Sequence, residues 1–365
     1  MTGFHIFLFT LYLKKPVLVA GKRLGNRTGF IIALSDENGV TGIGEAAPLF
    51  SLDRVDFLQC LEETGKLRKF VAASGISPGP PDLAAPFFGL LKPPFSINPI
   101  TAFGFESALL HLLAASGRLS GALRPNPSDQ RIPIRVNGLF IPKASKKDSL
   151  AQFDYLSDSG FSTVKVKIGR LDPKVEIRRI KELWDHFEGG IRLRLDANRS
   201  LSLEQYVEYY KALGAMNVEY VEEPLGGDDG LWRALAVPWP LALDESLHDY
   251  QEPEQLPKGV SAVILKPGSF WGVSGMVRAM DAFAGNGIKS VLSSSYNTGV
   301  GVCGLGLIAR LGAQGAAHGL DTLKYLQKDV LPESPRIEKG RLVLPQAYIL
   351  GHATMFHGNV PELGA

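Results

Sequence analysis

Three carboxylates in this chain each close a short apolar run. Asp196 ends "IRLRLD", Glu222 ends "VEYVE" and Asp244 stands in "PLALDE". Lysines bracket them in chain order: Lys165 and Lys167 in "TVKVK" before, and Lys266 at the end of "SAVILK" after. Three carboxylates gathered in one confined place repel one another, and a divalent cation removes the conflict. With all-oxygen donors and no neighbouring His or Cys, Mg²⁺ suits such a set better than zinc, and it would keep positions open for substrate oxygens. A lysine beside another lysine and near a metal ion is expected to have a lowered pKa, because each positive neighbour disfavours its charged form. A neutral lysine is a competent general base. The metal would stabilise the oxyanion formed when a proton leaves a carbon next to a carboxylate.

That chemistry needs the six side chains in one place, and the runs that carry them show how this is done. From about Ile132, short apolar strands alternate with helical stretches. The strands read as "IPIRVN", "TVKVK", "IRLRLD", "VEYVE", "PLALDE", "SAVILK" and "IKSVLSS". Between them, Asp172 can cap a helix with Pro173 at its first position. Ser202 and Gln205 have capping-box spacing, and Gly214 suits the stop. Repeated βα units mean a parallel sheet with right-handed crossovers, either an open doubly wound sheet or a (β/α)8 barrel. No GxGxxG follows the first strand, so the dinucleotide-binding open sheet loses support.

The strand ends favour the barrel. Asn137, Lys167, Asp196, Glu222, Asp244, Lys266 and Ser293 close successive runs at intervals of 22 to 30 residues, one βα unit each, and an eighth unit would begin near "GAAHGLDT". In a (β/α)8 barrel these ends share one face, where active sites are built. Parity agrees. Val166, Leu195, Val221, Leu243 and Leu265 each precede the charged residue and turn toward the helices, so the charged residues turn inward. Both faces of "VKVK" are then enclosed.

Here the residues carry a resemblance. "VKVKIG", "LRLDAN", "VEEPL", "LALDES" and "VILKP", in this order, resemble the barrel motifs of the enolase superfamily, in the branch containing muconate-lactonising enzymes. "GVTGIGEAAPL" in the first third resembles the loop of that superfamily's capping domain that closes over the substrate. Within the branch, "VLSSSYNTGVG" and "GLDTLKYLQKDVL" resemble the seventh- and eighth-strand regions of the o-succinylbenzoate synthase family of menaquinone biosynthesis. Many dipeptide epimerases of the branch carry Asp-x-Asp near the eighth strand, and here Asp321 is followed by Thr322 and Leu323.

The resemblance implies an α/β fold: a (β/α)8-type barrel, or modified TIM barrel, with an α+β capping domain. It implies Asp196, Glu222 and Asp244 as Mg²⁺ ligands, the first glutamate of "VEEPL" being the one selected. It implies Lys167 as the base that takes the proton alpha to the ring carboxylate of 2-succinyl-6-hydroxy-2,4-cyclohexadiene-1-carboxylate. The same lysine would protonate the departing hydroxide in a syn elimination that yields o-succinylbenzoate and water. Lys266 would stabilise the enediolate from the opposite face, and Lys165 would tune Lys167. Arg194 and Asn198 share the inward parity of Asp196 and are candidate substrate contacts. Ser293, Ser294 and Ser295 are candidates to hold the succinyl tail. The alternative within the superfamily is an N-acylamino acid racemase or dipeptide epimerase, with Lys167 and Lys266 as paired bases.

The rest of the chain bounds this reading. The first third carries strand-like runs at "FHIFLFTLYL" and "GFIIALSDENGVTGIGEA", with "DENG" as a hairpin turn. Helical patterns follow around Asp53 to Phe70 and Thr101 to Ser116, with a Pro/Gly-rich loop over Ser77 to Pro99 between them. The expected division is a capping domain over 1–128, a barrel over 129–322, and a segment over 323–365 that returns to the first domain. The loop "KKPVLVAGKRLGNRTG" is expected to help set specificity. With 39 basic and 37 acidic residues, net +2, no basic excess points to nucleic acid. Cys60 and Cys303 are too few and too far apart for a disulfide scaffold or a zinc site, and Cys303 and His318 read as packing residues. The apolar start lacks a basic segment before it and meets Lys14 and Lys15 too soon for a membrane span. The expectation is a cytoplasmic enzyme with a small carboxylate substrate and no membrane or nucleic-acid partner. The sequence carries no signal of oligomeric state.

Overall fold

Three sheets organise the chain in the computed structural model, which describes residues 2–19, 21–49, 55–74, 95–118, 133–227, 230–250, 252–269, 272–312, 315–352 and 361–363. The Pro/Gly-rich stretch over Ser77 to Pro99 falls largely outside these residues, as do the 128/129 boundary and the expected helix start at Asp53.

The first sheet is antiparallel, with β1 (Gly3–Val19), β2 (Lys22–Ser35) and β3 (Thr41–Ala46) side by side in chain order. The "DENG" turn joins β2 to β3. The Asn38 and Val40 amides donate to Asp36 Oδ1 at 2.9 and 3.0 Å. Helices α1 (Phe57–Ser74) and α2 (Pro99–Ala115) follow. Asn98 starts α2, accepting from the Ile100 and Thr101 amides, with Pro99 where a missing N–H costs nothing. Every residue from Ile100 to Ala114 is buried. This helix is apolar all round because it is sandwiched between the sheet and the second layer. Gly42 and Gly44 allow the approach: a Cβ there would meet the Ala108 and Gly104 carbonyl oxygens at 2.2 and 2.0 Å.

The second layer is β4 (Arg135–Val136), β5 (Gly138–Phe140), α3 (Lys146–Asp158), β6 (Thr163–Lys167), α4 (Pro173–His186), β7 (Arg192–Asp196), α5 (Leu203–Leu213), β8 (Val218–Glu222), α6 (Gly230–Ala234), β9 (Leu241–Leu243), β10 (Val260–Leu265), α7 (Gly272–Gly285), β11 (Lys289–Leu292), α8 (Gly299–Leu311) and β12 (Ala317–His318). Seven strands pair in the order β11-β10-β9-β8-β7-β6-β5, every pair parallel. β12 pairs with β4 in the third sheet, and the Gly319 amide donates to the Leu292 carbonyl at 2.8 Å, which links β11 to that sheet. This is an α/β TIM-like barrel under an α+β cap. The caps expected at α4 and α5 are present, Asp172 with Pro173 in one and the Ser202–Gln205 capping box in the other. One strand sits later than "IPIRVN" suggests. The run continues to Phe140, and Gly138 pairs level with Val164, so Asn137 lies partway along it rather than at its end.

Alternate strand positions separate two apolar groups. Val164, Val166, Leu195, Val221, Leu243 and Leu265 are buried in the main core with the helices. Tyr220, Ala242, Ala262, Ile264, Val291 and Ala316 form a second, smaller cluster from the opposite parity, the floor inside the sheet. A hairpin of β13 (Arg336–Glu338) and β14 (Arg341–Val343), then α9 (Gln346–Leu350), follow. The last described residues return to β1, where the Leu363 amide donates to the Ile6 carbonyl at 2.9 Å. No described helix is long and apolar enough to cross a membrane.

Two buried carboxylates bolt the cap to the barrel helices. Glu45 of β3 accepts from Asn297 Nδ2, the Thr298 amide and hydroxyl, and the Gly301 amide, at 2.6 to 3.1 Å. Glu106 of α2 accepts from the Ser274 amide and hydroxyl at 2.8 and 2.7 Å. Each meets the first turn of a barrel helix, α8 or α7, where unpaired amides and the helix dipole favour an anion. His111 holds the cap from within. It accepts the Ile43 amide at Nδ1 (2.9 Å), so the proton sits on Nε2 and is donated to the Tyr348 carbonyl at 2.5 Å. Burial drives its pKa down to about 4. Below pH 6.5 the unfolded chain therefore takes up a proton that the folded chain refuses until about pH 4. Stability falls across that window, by up to about 3 kcal/mol. Urea unfolding of wild type and His111→Gln at pH 7, 5.5 and 4.5 checks this: the difference between the two proteins should shrink as pH falls. A constant difference would rule out the assignment.

Candidate active site at the strand ends

The barrel mouth inherits its geometry from strand register. Lys167 pairs level with Asp196, and Asp196 with Glu222, on three adjacent parallel strands. Neighbouring strands lie about 4.8 Å apart, so side chains of one parity on level positions must meet. They do. Lys165 Nζ donates to both oxygens of Glu222 at 2.7 Å and lies 2.7 Å from Asp196 Oδ2. Lys167 Nζ lies 2.5 Å from the same Asp196 oxygen and donates to Asn198 Oδ1 at 2.7 Å. Lys266 Nζ donates to Asp244 Oδ2. The six expected side chains converge on one site.

The three lysines and Asp244 line a cavity of about 520 Å³. Lys165, Lys167, Asn198, Asp244, Lys266 and the three serines 293–295 come from the barrel, and Leu18, Val19, Gly21 and Leu49 come from the cap. The cap residues belong to the β1–β2 hairpin, where the loop expected to help set specificity lies, and to the end of "GIGEAAPL", which resembles the loop that closes over the substrate. Asp196 and Glu222 lie beneath the lysines, 1% and 0% exposed.

Arg194 departs from its expected place. It is 1% exposed and absent from the cavity wall. Its guanidinium donates to Glu219 Oε2, Asn137 Oδ1 and the Ala317 carbonyl, and lies 5.0 Å above the Tyr220 ring. It is two residues below Asp196, and that layer is the barrel floor. Of the serines, Ser294 spends its hydroxyl on Asn297 in its own loop and on Thr322 after β12. His318 accepts the Leu292 amide and Cys303 is buried, both as packing residues.

Side chains that the strand pattern did not reveal complete the site. Glu223, with a left-handed φ of 42°, turns away from Glu222 and accepts the Asp244 and Ser246 amides at 3.0 and 2.6 Å, fixing the backbone that carries Asp244. Glu245 accepts from Asn198 Nδ2 at 3.0 Å, and its Oε2 is buried with no hydrogen-bond partner. Parity would send Glu245 outward, but a 3-10 turn begins there and ends the alternation. Arg170 and Tyr296 also line the cavity.

The carboxylates decide the pKa direction of Lys165 and Lys266. Burial alone would favour neutral Lys165, but the carboxylates of Asp196, Glu222 and Asp244 outweigh it and hold the ammonium well above the usual lysine range. Lys266 is raised in the same way by Asp244. Burial pushes Glu222 up, and the neighbouring Asp196 charge adds to it despite Lys165. Beside burial, both directions reflect the crowding of carboxylates: the site is short of positive charge. Asp196, Glu222, Asp244 and Glu245 stand against three ammoniums. Among the described residues no three His, Cys, Asp or Glu side chains form a ready metal cage, because the lysines occupy the carboxylate oxygens. The donor set nonetheless fits a hard divalent cation: oxygen ligands throughout, excess negative charge, and one buried carboxylate oxygen without a partner.

The comparisons with known proteins agree with this architecture. A family model described as enolase C-terminal domain-like matches residues 149–352, more than half of the chain. The chain is 26% identical over 338 residues to the o-succinylbenzoate synthase of Photorhabdus laumondii, covering 90% of this chain and 93% of that protein. It is 28% identical over 341 residues to the chloroplastic protein PHYLLO of Arabidopsis thaliana, covering 84% of this chain but spanning only 20% of that protein's length. A dipeptide epimerase from Cytophaga hutchinsonii, solved with Mg and the dipeptide D-Ala-L-Val, superposes with a TM-score of 0.73 at 18% identity over 94% of this chain and 92% of that one.

Removing Lys165 leaves two buried carboxylates facing each other. Lys165→Met should cost about 3–5 kcal/mol in metal-free buffer, and added Mg²⁺ should recover part of it. Chemical denaturation with and without Mg²⁺ reads both numbers, and a variant as stable as wild type in chelator would contradict the charge assignment.

Proposed function

The chain belongs to the enolase C-terminal domain-like family of the enolase superfamily, and from that footing we propose that it catalyses the Mg²⁺-dependent syn dehydration of 2-succinyl-6-hydroxy-2,4-cyclohexadiene-1-carboxylate to o-succinylbenzoate, the step of menaquinone biosynthesis. The observation that carries the reading is a pair of lysines, Lys167 on β6 and Lys266 after β10, on opposite sides of a carboxylate cluster within one cavity. The o-succinylbenzoate synthases matched over about nine-tenths of the chain support the choice of reaction. In this reading the domain division is 1–128, 129–322 and 323–365, and β4–β5 and β12 complete a (β/α)8-type barrel.

Asp196, Glu222 and Asp244 would hold the ion. When bound, Mg²⁺ would supply positive charge against the negative charge that moves onto the substrate's carboxylate oxygens as the alpha proton leaves, and would satisfy the carboxylates that now retain the lysine protons. Lys167 takes the proton from the carbon next to the ring carboxylate. Asn198, bonded to both Lys167 and Glu245, orients that amine. Lys165, two residues deeper on the same face, sets its charge environment. Lys266 holds negative charge from the opposite side. The Lys167 ammonium then returns its proton to the hydroxide leaving on the same face, and aromatisation drives the elimination. Leu18, Val19 and Leu49 exclude water above.

A racemase or epimerase is the second reading, favoured by lysines on both faces. One contact weighs against a substrate bearing an ammonium. Asp321, the carboxylate nearest the eighth strand in the cavity wall, is already paired with Lys324 at 2.6 Å and accepts the Tyr155 hydroxyl at 3.0 Å.

Purified protein incubated with the cyclohexadiene and Mg²⁺ should form an aromatic product, followed by ultraviolet absorbance. Chelation should stop the reaction and Mg²⁺ restore it. Lys167→Ala should lower kcat by about 10²- to 10⁴-fold. No product from wild type would reject the synthase reading. Solvent deuterium appearing in both enantiomers of an N-acylamino acid would instead establish the racemase.

A further inference from the structure

We propose that Arg170 and the Tyr296 hydroxyl form a subsite for a second carboxylate of the substrate, so that this cavity selects dicarboxylates. The proposal rests on the function proposed above and adds residues that read the tail of that substrate.

Four cations line the cavity, and three of them are committed. Lys165, Lys167 and Lys266 are each ion-paired to a carboxylate of the cluster. The Arg170 guanidinium is exposed at the cavity wall and makes no hydrogen bond or ion pair with any described residue. A planar guanidinium offers parallel N–H donors that match a carboxylate, which an ammonium cannot do.

The position is built. Gly169, just before Arg170, has φ 76°, and a Cβ there would lie 2.1 Å from Ser200 Oγ. Glu176, 0% exposed, accepts three consecutive amides of this loop, from Gly169, Arg170 and Leu171, at 2.7, 2.9 and 2.9 Å. The Tyr209 hydroxyl donates to the same carboxylate. A buried anion thus fixes the backbone three residues beyond Lys167, and little loop ordering remains to oppose binding.

Tyr296 faces the same space. It has φ 59°, rare for a bulky residue, and its ring is set edge-on to Tyr325 at 5.9 Å. Its hydroxyl has no partner among the described residues. Burial raises the phenol pKa, the positive charges of Arg170, Lys266 and Lys165 oppose that rise, and Arg170 and Tyr296 line one cavity. The alternative anion site beside this loop is closed. At the start of α8 the Thr298 and Gly301 amides are taken by Glu45, the Gly299 amide by Asp329 and the Val300 amide by the Thr298 hydroxyl.

Binding of o-succinylbenzoate and of 2-butanoylbenzoate, which lacks the terminal carboxylate, to wild type, Arg170→Leu, Arg170→Lys and Tyr296→Phe tests this by calorimetry, with kinetics on the cyclohexadiene. Arg170→Leu should weaken the dicarboxylate about 10- to 100-fold and leave the monocarboxylate within about twofold. Arg170→Lys should recover part of the loss, Tyr296→Phe should show a smaller selective loss, and the kinetic loss should fall on KM. Equal losses for both acids, or none, overturn the subsite. Wild type that prefers the dicarboxylate but does not convert the diene overturns the synthase reading alone. Conversion with Arg170→Leu unchanged overturns the subsite alone. Failure to bind either acid overturns both.

Discussion

The level pairing of β6, β7 and β8 is the constraint on which the site depends. Lys167, Asp196 and Glu222 stand abreast because three parallel strands are in register there. A slip of one residue on any strand would turn its charged side chain into the helical layer and a valine or leucine into the mouth. The apolar residues of the opposite parity forbid that slip. Val166, Leu195 and Val221 are fully buried against the helices, and exchanging them for charges would be prohibitive. The packing that stabilises the barrel and the chemistry at its mouth are therefore two faces of the same alternation.

This arrangement concentrates negative charge. The lysines meet it in part, by lying across the carboxylates, and the cost shows in Glu222, whose carboxyl is raised by burial and by Asp196. A small hard cation would relieve what ammoniums alone leave unmatched. The support for the cluster is itself made of carboxylates that face backbone amides. Glu223 holds the turn that carries Asp244, Glu176 holds the loop beyond Lys167, and Glu45 and Glu106 join the cap to α8 and α7. These acids sit where unpaired N–H groups face them, so they add rigidity without drawing on the lysines of the site.

The cap and the barrel meet along the buried helix α2 and the strand β3. α2 is apolar on every side because it faces the sheet on one side and the barrel helices on the other, so its lack of amphipathic pattern records its position. The same contact carries the β1–β2 hairpin over the mouth, where Leu18, Val19 and Gly21 reach the cavity. The cavity is thus walled by the barrel rim and by a cap that is anchored some way from it.

Much of this is written in the chain. Alternation within "TVKVK" and "IRLRLD" sets which residues face inward, and the one-unit spacing of polar strand ends places Lys167, Asp196, Glu222, Asp244 and Lys266 on one rim, because backbone pleat and helix length are local properties. What alternation could not reach were residues past the last strand position. Glu245, Glu223 and Tyr296 lie in turns with 3-10 or left-handed backbone, where parity no longer predicts direction. Arg194 has the right parity but the wrong depth, and depth follows from how far each strand extends. Nor could the sequence show which charges are spent: that Lys165 lies across Glu222 and Asp196, that Asp321 is closed off by Lys324, and that Arg170 stays uncommitted all depend on distances between segments far apart in the chain. Those distances exist only once the sheet has curled and the cap has closed on it.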